Sequence, residues 1–359
     1  VLVTTDTIGG VWPYSLELAD ALAPHGVEVT LATMGDPLRP GQRLELGRSA
    51  VAEVHEERFA LEWMEEPWAD VDRAAAWLLD LAGDVRPDVV HLNGFAHAAL
   101  EWGAPVLVVG HSCVLSWFRA VRGEEAPPAW GRYALAVGRG LQAADALVAP
   151  TRAMLVELER LYHPTCPRHV IPNARRPLAA PGRKEPFVLA GGRLDDEAKN
   201  VAAVDRVAAS LGWPVLLAGD PSPKWTARNA RLLGRLDSAA LGSVLARASI
   251  YVAPARYEPF GLGALEAALA GCALVLGDIA SLREVWDEAA LYVDPADDEA
   301  LATALRLLID HPALLRELAE AAGERARMYG PERMARGYLD VYEQLRGPNL
   351  SGGLVAPAA

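Results

Sequence analysis

Lysine is almost missing from this sequence. Of its 34 basic residues only Lys184, Lys199 and Lys224 are lysines, and residues 1 to 170 carry 13 arginines and no lysine against 23 acidic residues. The net charge of −13 argues against a nucleic-acid partner, because that binding rests on neutralising phosphates with Lys and Arg. A basic face for docking on a membrane is missing from the first half too, so stable membrane association is not expected. There is no run of about 18 uninterrupted apolar residues, and no charged, apolar, small-residue leader opens the sequence. A soluble, cytoplasmic protein is the expectation. Cys113, Cys166 and Cys272 are odd in number, far apart and in no CxxC arrangement, so neither a disulfide framework nor a zinc site is suggested. Each is expected to be a small buried apolar residue. With lysines this scarce, one lying inside a candidate site stands out from background.

What is present is a long chain with a large apolar fraction. Its 359 residues, 52% of them hydrophobic, suggest two domains, each able to bury a core. The opening VLVTTDTIGGVWPYSLELADALAPHGVEVTLAT reads as a strand, a Gly-Gly turn, a helix with Pro13 near its start, a stop at Gly26 and a second strand. Strand patterns recur in DVVHLNG, APVLVVGHS and DALVAPT, with an acidic, tryptophan-bearing stretch from Glu53 to Asp84 read as a helical insertion. IPNARRPLAAPGRKEP, residues 171 to 186, interrupts the series as a linker. A second series then opens with FVLAGGRLDDEAKN and continues through PVLLAGD, ARLLGRL, ASIYVAP, CALVLGD and AALYVDP. Strand and helix alternate in both halves, so the expected class is α/β, with two Rossmann-like domains facing across a cleft. The boundaries expected are an N-terminal domain over 1–172, a C-terminal domain over 173–330, a helix over 331–346 and a flexible tail over 347–359.

ARYEPFGLGALEAALAG, residues 255 to 271, puts Glu258 and Glu266 on either side of a turn at the end of a strand. Ligands bind at that end of open α/β sheets. Pro259 and the glycines break any single helix between the two acids, so the two have different jobs. The amides of Phe260, Gly261 and Leu262 point out of the following helix, where anions and hydroxyls are attracted. Two carboxylates beside such a turn suit a phosphorylated, polyhydroxylated ligand. Taken singly, each glutamate also fits an ordinary solvated position.

Arg193 and Lys199 follow another strand end and could supply two cations to a diphosphate, although an R-x5-K pair is also compatible with plain solvation. Gly9 and Gly10 let the backbone approach a ligand closely. They are not a G-x-G-x-x-G dinucleotide fingerprint, whose acidic partner would have to be Glu28, so an NAD reading scores poorly. His111 ends a strand on the cleft side, as do His91 and Asn93, each with a structural reading beside the functional one. Trp12 and Trp117 are placed to line the cleft and stack on a ring, while most tryptophans are expected to be core. Asp70 and Asp72 have the D-x-D spacing of a metal-holding pair but lie where Asp serves more simply in a helix's first turn. No metal site is expected.

The ordered set is more specific than its members. Gly-Gly at 9–10, GH at 110–111, VAPTRAM at 148–154, IPN at 171–173, GGR with Lys199, and the E-x7-E from Glu258 to Glu266 together resemble the retaining glycosyltransferases of family 4. That family has the two-domain architecture called GT-B, and the likeness covers nearly the whole chain. The resemblance implies that Arg193 and Lys199 contact the diphosphate of a nucleotide sugar, Glu258 the sugar hydroxyls and Glu266 the ribose. Phe260, Gly261 and Leu262 would sit at the sugar-phosphate end, Arg235 and Leu236 would line the base, Gly10 would offer its amide from the opposite domain, and His111 would lie near the reacting sugar. The helix PERMARGYLDVYEQL would cross back to the N-terminal domain. Two departures stand out. The spacing from Arg193 to Lys199 is one residue longer than the commoner pattern, so the loop must bulge or Lys199 is offset, and Ala174 replaces the glycine that usually follows IPN.

The activity implied is transfer of a hexosyl group from a nucleotide diphosphate sugar, UDP-glucose first by family frequency and GDP-mannose next, with retention at the anomeric carbon. The acceptor would be a soluble carbohydrate or other small molecule, neutral or cationic, bound by the acidic N-terminal domain. No cofactor beyond the donor substrate is required. The competing readings are a sugar-nucleotide-binding protein without turnover, and a sugar-nucleotide epimerase or a phosphorylase on the same scaffold. The scarcity of lysine disfavours the pyridoxal lysine that a phosphorylase would want. Base, sugar, acceptor and oligomeric state are not specified by the sequence.

Overall fold

The computed structural model describes residues 1–220 and 225–347; Lys224 and the tail beyond Gly347 lie outside the described residues. Seven parallel strands form the first sheet: β1 (Leu2–Asp6), β2 (Thr30–Met34), β3 (Glu53–Glu56), β4 (Val90–Leu92), β5 (Val106–Val109), β6 (Ala146–Ala149) and β7 (Arg168–Val170). Their spatial order is β3-β2-β1-β4-β5-β6-β7. The second sheet holds β8 (Glu185–Gly191), β9 (Val215–Ala218), β10 (Arg231–Gly234), β11 (Ala248–Ala253), β12 (Ala273–Gly277) and β13 (Leu291–Val293), in the order β10-β9-β8-β11-β12-β13. Runs such as LVTTD, VLVV and ALVLG are buried along almost every residue, as a parallel sheet covered by helices on both faces requires. These are two doubly wound α/β units.

Strand order reverses between β1 and β4 and again between β8 and β11. The crevice beyond the carboxyl ends of those pairs is where such sheets receive ligands. In-register pairing of Leu2 with Val90 brings the loops after Asp6 and after Leu92 to one edge, and pairing of Leu189 with Tyr251 does the same for the loops after Gly191 and after Ala253. The helix Pro331–Arg346 leaves the second unit and buries Met334, Ala335, Tyr338, Val341 and Tyr342 in the core of the first, against helix Val11–Leu22. Among the described residues no helix is long and apolar enough to cross a membrane.

Two expectations need correction. The stretch from Glu53 to Asp84 is not a helical insertion throughout: it opens with β3 at the sheet edge, and its helix begins only at Trp68. Edge strands lack the long apolar run that marks the central ones, so EVHE gave no signal. Cys166 is half-exposed, unlike the buried Cys113 and Cys272, because it sits in the turn leading to β7.

Candidate active site

The second domain supplies the cations. Gly192 has a φ of +139°, a conformation that favours glycine, and the stem of Lys199 runs past it. From Arg193 the chain makes tight turns, with Asp196 N–H donating to the Arg193 carbonyl at 3.2 Å and Lys199 N–H to that of Asp196 at 2.9 Å. Lys199 Nζ reaches the Glu258 carboxylate and donates to its Oε2. Arg193 is half-exposed, donates to Asp196 at 2.5 Å and lies 6.0 Å from the centre of the Trp63 ring, across the cleft.

Glu258 is held by its own backbone. Its carbonyl accepts from Ser281 at 2.6 Å, and the carbonyl of Pro259 accepts from Thr151 of the first domain at 2.9 Å. Gly261, at φ +91°, caps helix Leu262–Leu269. The N–H groups of Phe260, Gly261 and Leu262 have no hydrogen-bond partner among the described residues. Gly10, exposed on the Gly-Gly turn after β1, faces this helix start: a Cβ there would lie 3.4 Å from Leu262 Cδ1. The unpaired amides share a loop with Glu258, the partner of Lys199, and Arg193 follows the neighbouring strand β8, an arrangement able to hold a polyanion.

The first domain supplies His111, Asn93 and Asp6. His111 is half-buried, packs edge-on to Tyr14 with centroids 4.5 Å apart, and bonds through Nε2 to Asn93 Oδ1 at 2.8 Å. Asn93 Nδ2 donates to the Thr4 carbonyl at 2.7 Å, which fixes its amide so that His111 must carry its proton on Nε2. Burial pushes the His111 pKa down to about 3, so the ring is neutral and its Nδ1 is an acceptor. Asp6 closes β1. Its Oδ1 accepts from Ile8 N–H at 3.0 Å, and burial outweighs that bond and the nearby Arg193 charge, pushing the carboxyl up to about 7.

Two sequence-predicted residues are not at the cleft surface. Trp12 is buried in the core of the first domain, its indole N–H donating to Glu45 at 2.8 Å. His91 is fully buried between Tyr14 and Tyr342. Tyr14 donates to Tyr338 at 2.6 Å, so His91 Nε2–H donates to Tyr14 at 3.2 Å and Nδ1 accepts from Tyr342 at 2.7 Å. That fully paired neutral ring is a core residue. For His91 the strand-end reading misled because helix Pro331–Arg346 covers this part of the sheet; Trp12, just past the Gly-Gly turn, turns into the core from helix Val11–Leu22 instead. Trp117 does face across the cleft, its indole N–H directed at Asp196 Oδ1 at 3.4 Å. Asp70 lies in the first turn of helix Trp68–Val85, accepting from Ala60 N–H at 2.7 Å and pairing with Arg73.

Glu266 is 8% exposed and accepts from Arg175 Nε at 2.7 Å. Arg235 is half-exposed and paired with Asp220, close to Arg39 of the first domain, which together with burial lowers its pKa. Leu236 packs on the second core.

Residues 8–175 match the family model for Glycosyltransferase Family 4, and residues 185–311 that for Glycosyl transferases group 1. The chain belongs to the family 4 glycosyltransferases. It is similar to the glycogen synthase of Mycobacterium tuberculosis (strain H37Rv), 29% identical over 366 residues that span 89% of this chain and 86% of that protein. The sucrose-phosphate synthase of Thermosynechococcus elongatus shares the fold at a TM-score of 0.78 and 20% identity, covering 96% of this chain and 98% of the other. HepE of Anabaena, solved with UDP-glucose, shares it at 0.76 and 14% identity, over 96% and 99%. The two-domain GT-B architecture is therefore that of the glycosyltransferases it resembles.

Several residues of this glycosyltransferase's cleft escaped sequence reasoning. Asp6 could have been found, because it is the last residue of β1 and stands before the Gly-Gly turn. Tyr257 could not. Its hydroxyl crosses the cleft to accept from Cys113 N–H at 3.0 Å and to bond Ser116 at 2.8 Å, a contact that only tertiary structure defines. Glu284 likewise crosses, accepting from Arg152 and Ala153 N–H at 2.6 and 2.9 Å to cap helix Arg152–Tyr162.

Proposed function

We propose that this glycosyltransferase moves a hexosyl group from a nucleotide diphosphate sugar of the UDP-glucose type to a soluble carbohydrate or small-molecule acceptor, with retention at the anomeric carbon. One observation carries the reading: Lys199 pairs with Glu258 on the loop whose Phe260, Gly261 and Leu262 amides have no partner among the described residues, and Gly10 of the other domain faces the helix start at Leu262. Lys199, Arg193 and the amides of Phe260, Gly261 and Leu262 take the diphosphate, with the Gly10 amide facing it from the other side. Freed from Lys199, Glu258 accepts from the sugar hydroxyls. Glu266 takes the ribose, and Arg235 with Leu236 the base. In this assignment the donor domain spans 173–330, the acceptor domain 1–172, and the helix 331–346 ties the two together.

The acceptor oxygen attacks C1 on the face that the phosphate leaves. The C1–O bond to the β-phosphate breaks, and the acceptor's proton passes to the departing phosphate oxygen. The protein supplies charge: cations and amides stabilise the leaving diphosphate, in a gap that the contacts of Tyr257 and Thr151 close. His111, neutral and with no partner for its Nδ1 among the described residues, accepts from a hydroxyl of the reacting sugar. The donor seen with HepE makes UDP-glucose the first to test. Calorimetry with UDP, GDP and ADP, then turnover of each matching sugar nucleotide with the product's anomeric configuration read by NMR, tests the reading. Affinity without hydrolysis or transfer would make it a binding protein, and an inverted product would reject the same-face route.

A further inference from the structure

Glu266 lies on helix Leu262–Leu269 among Leu265, Ala267 and Ala268, all buried. A carboxyl in that setting prefers to be neutral, and burial does raise its pKa. One cation opposes this. Arg175, in the linker, donates through Nε to Glu266 Oε1 at 2.7 Å, and its side chain is itself only 12% exposed. The guanidinium is clamped, with Nη1 3.6 Å from Glu17 of helix Val11–Leu22. Glu266 Oε2 has no protein partner among the described residues and is not sealed from solvent.

We propose that Arg175 is a positioning residue for the ribose end of the donor: it turns Glu266 so that Oε2 faces the ribose hydroxyls and holds it as the carboxylate that can accept from both. This rests on the reading of Glu266 as the ribose carboxylate. Other groups bearing on Glu266 do not substitute for Arg175. Glu17 and Glu45, from the first domain, favour its protonated form, the Tyr251 hydroxyl on β11 is neutral with its pKa raised, and Arg176 is engaged by Glu17 at 3.2 Å. Without Arg175 the Glu266 pKa rises further. A protonated Glu266 then donates where it should accept, and ribose recognition weakens as pH falls and recovers as pH rises.

The test compares UDP with 2′,3′-dideoxy-UDP by calorimetry from pH 6 to 9, in the wild-type chain and in Arg175→Met. The phosphate's own titration cancels in the ratio of the two affinities. The wild type should favour UDP by about tenfold or more at every pH, the worth of hydrogen bonds to a charged group. In Arg175→Met the preference should fall to about twofold at pH 6 and climb with pH, and at pH 6 it should match that of Glu266→Gln. If the Met variant does not fold, Arg175→Lys carries the test, with a preference between those of the wild type and Glu266→Gln. Equal weakening of both nucleotides at all pH values, or an unchanged preference in the folded Met or Lys variant, would overturn the proposal. A wild type that ignores the ribose hydroxyls would instead remove the reading of Glu266 on which it rests.

Discussion

Lys199 and Glu258, 59 positions apart in sequence, meet as an ion pair at the carboxyl edge of the second sheet, with both side chains only partly exposed. Neither can serve a ligand fully while bound to the other. Removing each therefore has a different effect. Lys199→Ala should weaken UDP binding and cut transfer well over tenfold, more than about 1.4 kcal/mol. Glu258→Ala should cut transfer as strongly yet keep or tighten UDP binding, because it frees the ammonium. Calorimetry beside initial rates checks this, and equal loss of UDP affinity in both variants would contradict the assignment.

Asp6 gives a pH signature of the opposite kind to a salt-bridged acid. In the fold it keeps its proton up to about 7, whereas the unfolded chain releases it near the ordinary value of about 3.9. Between those values the unfolded state holds fewer protons, so this group's contribution to stability falls as pH rises. Asp6→Asn removes the charge. The variant should match the wild type in thermal stability at pH 4 and gain on it by pH 8, by on the order of 1 kcal/mol or more. A melting-temperature difference independent of pH would show that the Asp6 carboxyl is not shifted.

His91 and His111 act on the acid side. Burial lowers each to about 3, while the unfolded chain takes up protons near the ordinary histidine value of about 6.5. Above that value both states are neutral and neither ring matters. As pH falls from about 6.5 toward 3 the unfolded state binds protons that the fold refuses, so stability is lost through that window. Separate roles should follow from separate positions. His91→Ala leaves the hydroxyls of Tyr14 and Tyr342 short of a partner and should cost about 2–4 kcal/mol of stability, measured by denaturant titration. His111→Ala should instead lower the transfer rate with a smaller loss of stability.

The strands facing the cleft were legible because a parallel sheet buries both faces and writes itself as VLVV, ALVLG or ASIYVA. The loops after them were legible through glycine: Gly192 and Gly261 adopt positive φ where the chain turns at the carboxyl edge of the second sheet. β3 and β7 were not, since EVHE and RHV are short, polar and at the sheet's edges. Which strand-end histidine faces the cleft was not legible either. Both follow apolar runs in the sequence, but His91 lies within β4 while His111 comes two residues after β5, and helix Pro331–Arg346, more than 200 residues away, covers His91.

Tyr257 precedes Glu258 and anchors its loop to the other domain. Its hydroxyl satisfies Cys113 N–H and bonds Ser116 at the start of helix Val114–Arg122, so Tyr257→Phe leaves the Cys113 N–H without its partner at a largely buried place, while Ser116 keeps its bond to the Cys113 carbonyl at 2.9 Å. The penalty is about 1–3 kcal/mol for such a group that water cannot reach, and it falls on the contact between domains, not on either core. The two cores should then keep their own stability while their coupling weakens. Calorimetry should show the unfolding transition broadening or splitting in two, with the Michaelis constant for the donor raised more than the turnover number is lowered, since closure over the donor becomes less favourable. A variant that melts at a lower temperature in one transition as sharp as the wild type's, with donor saturation unchanged, would place this tyrosine in the core's stability and not in the joining of the domains.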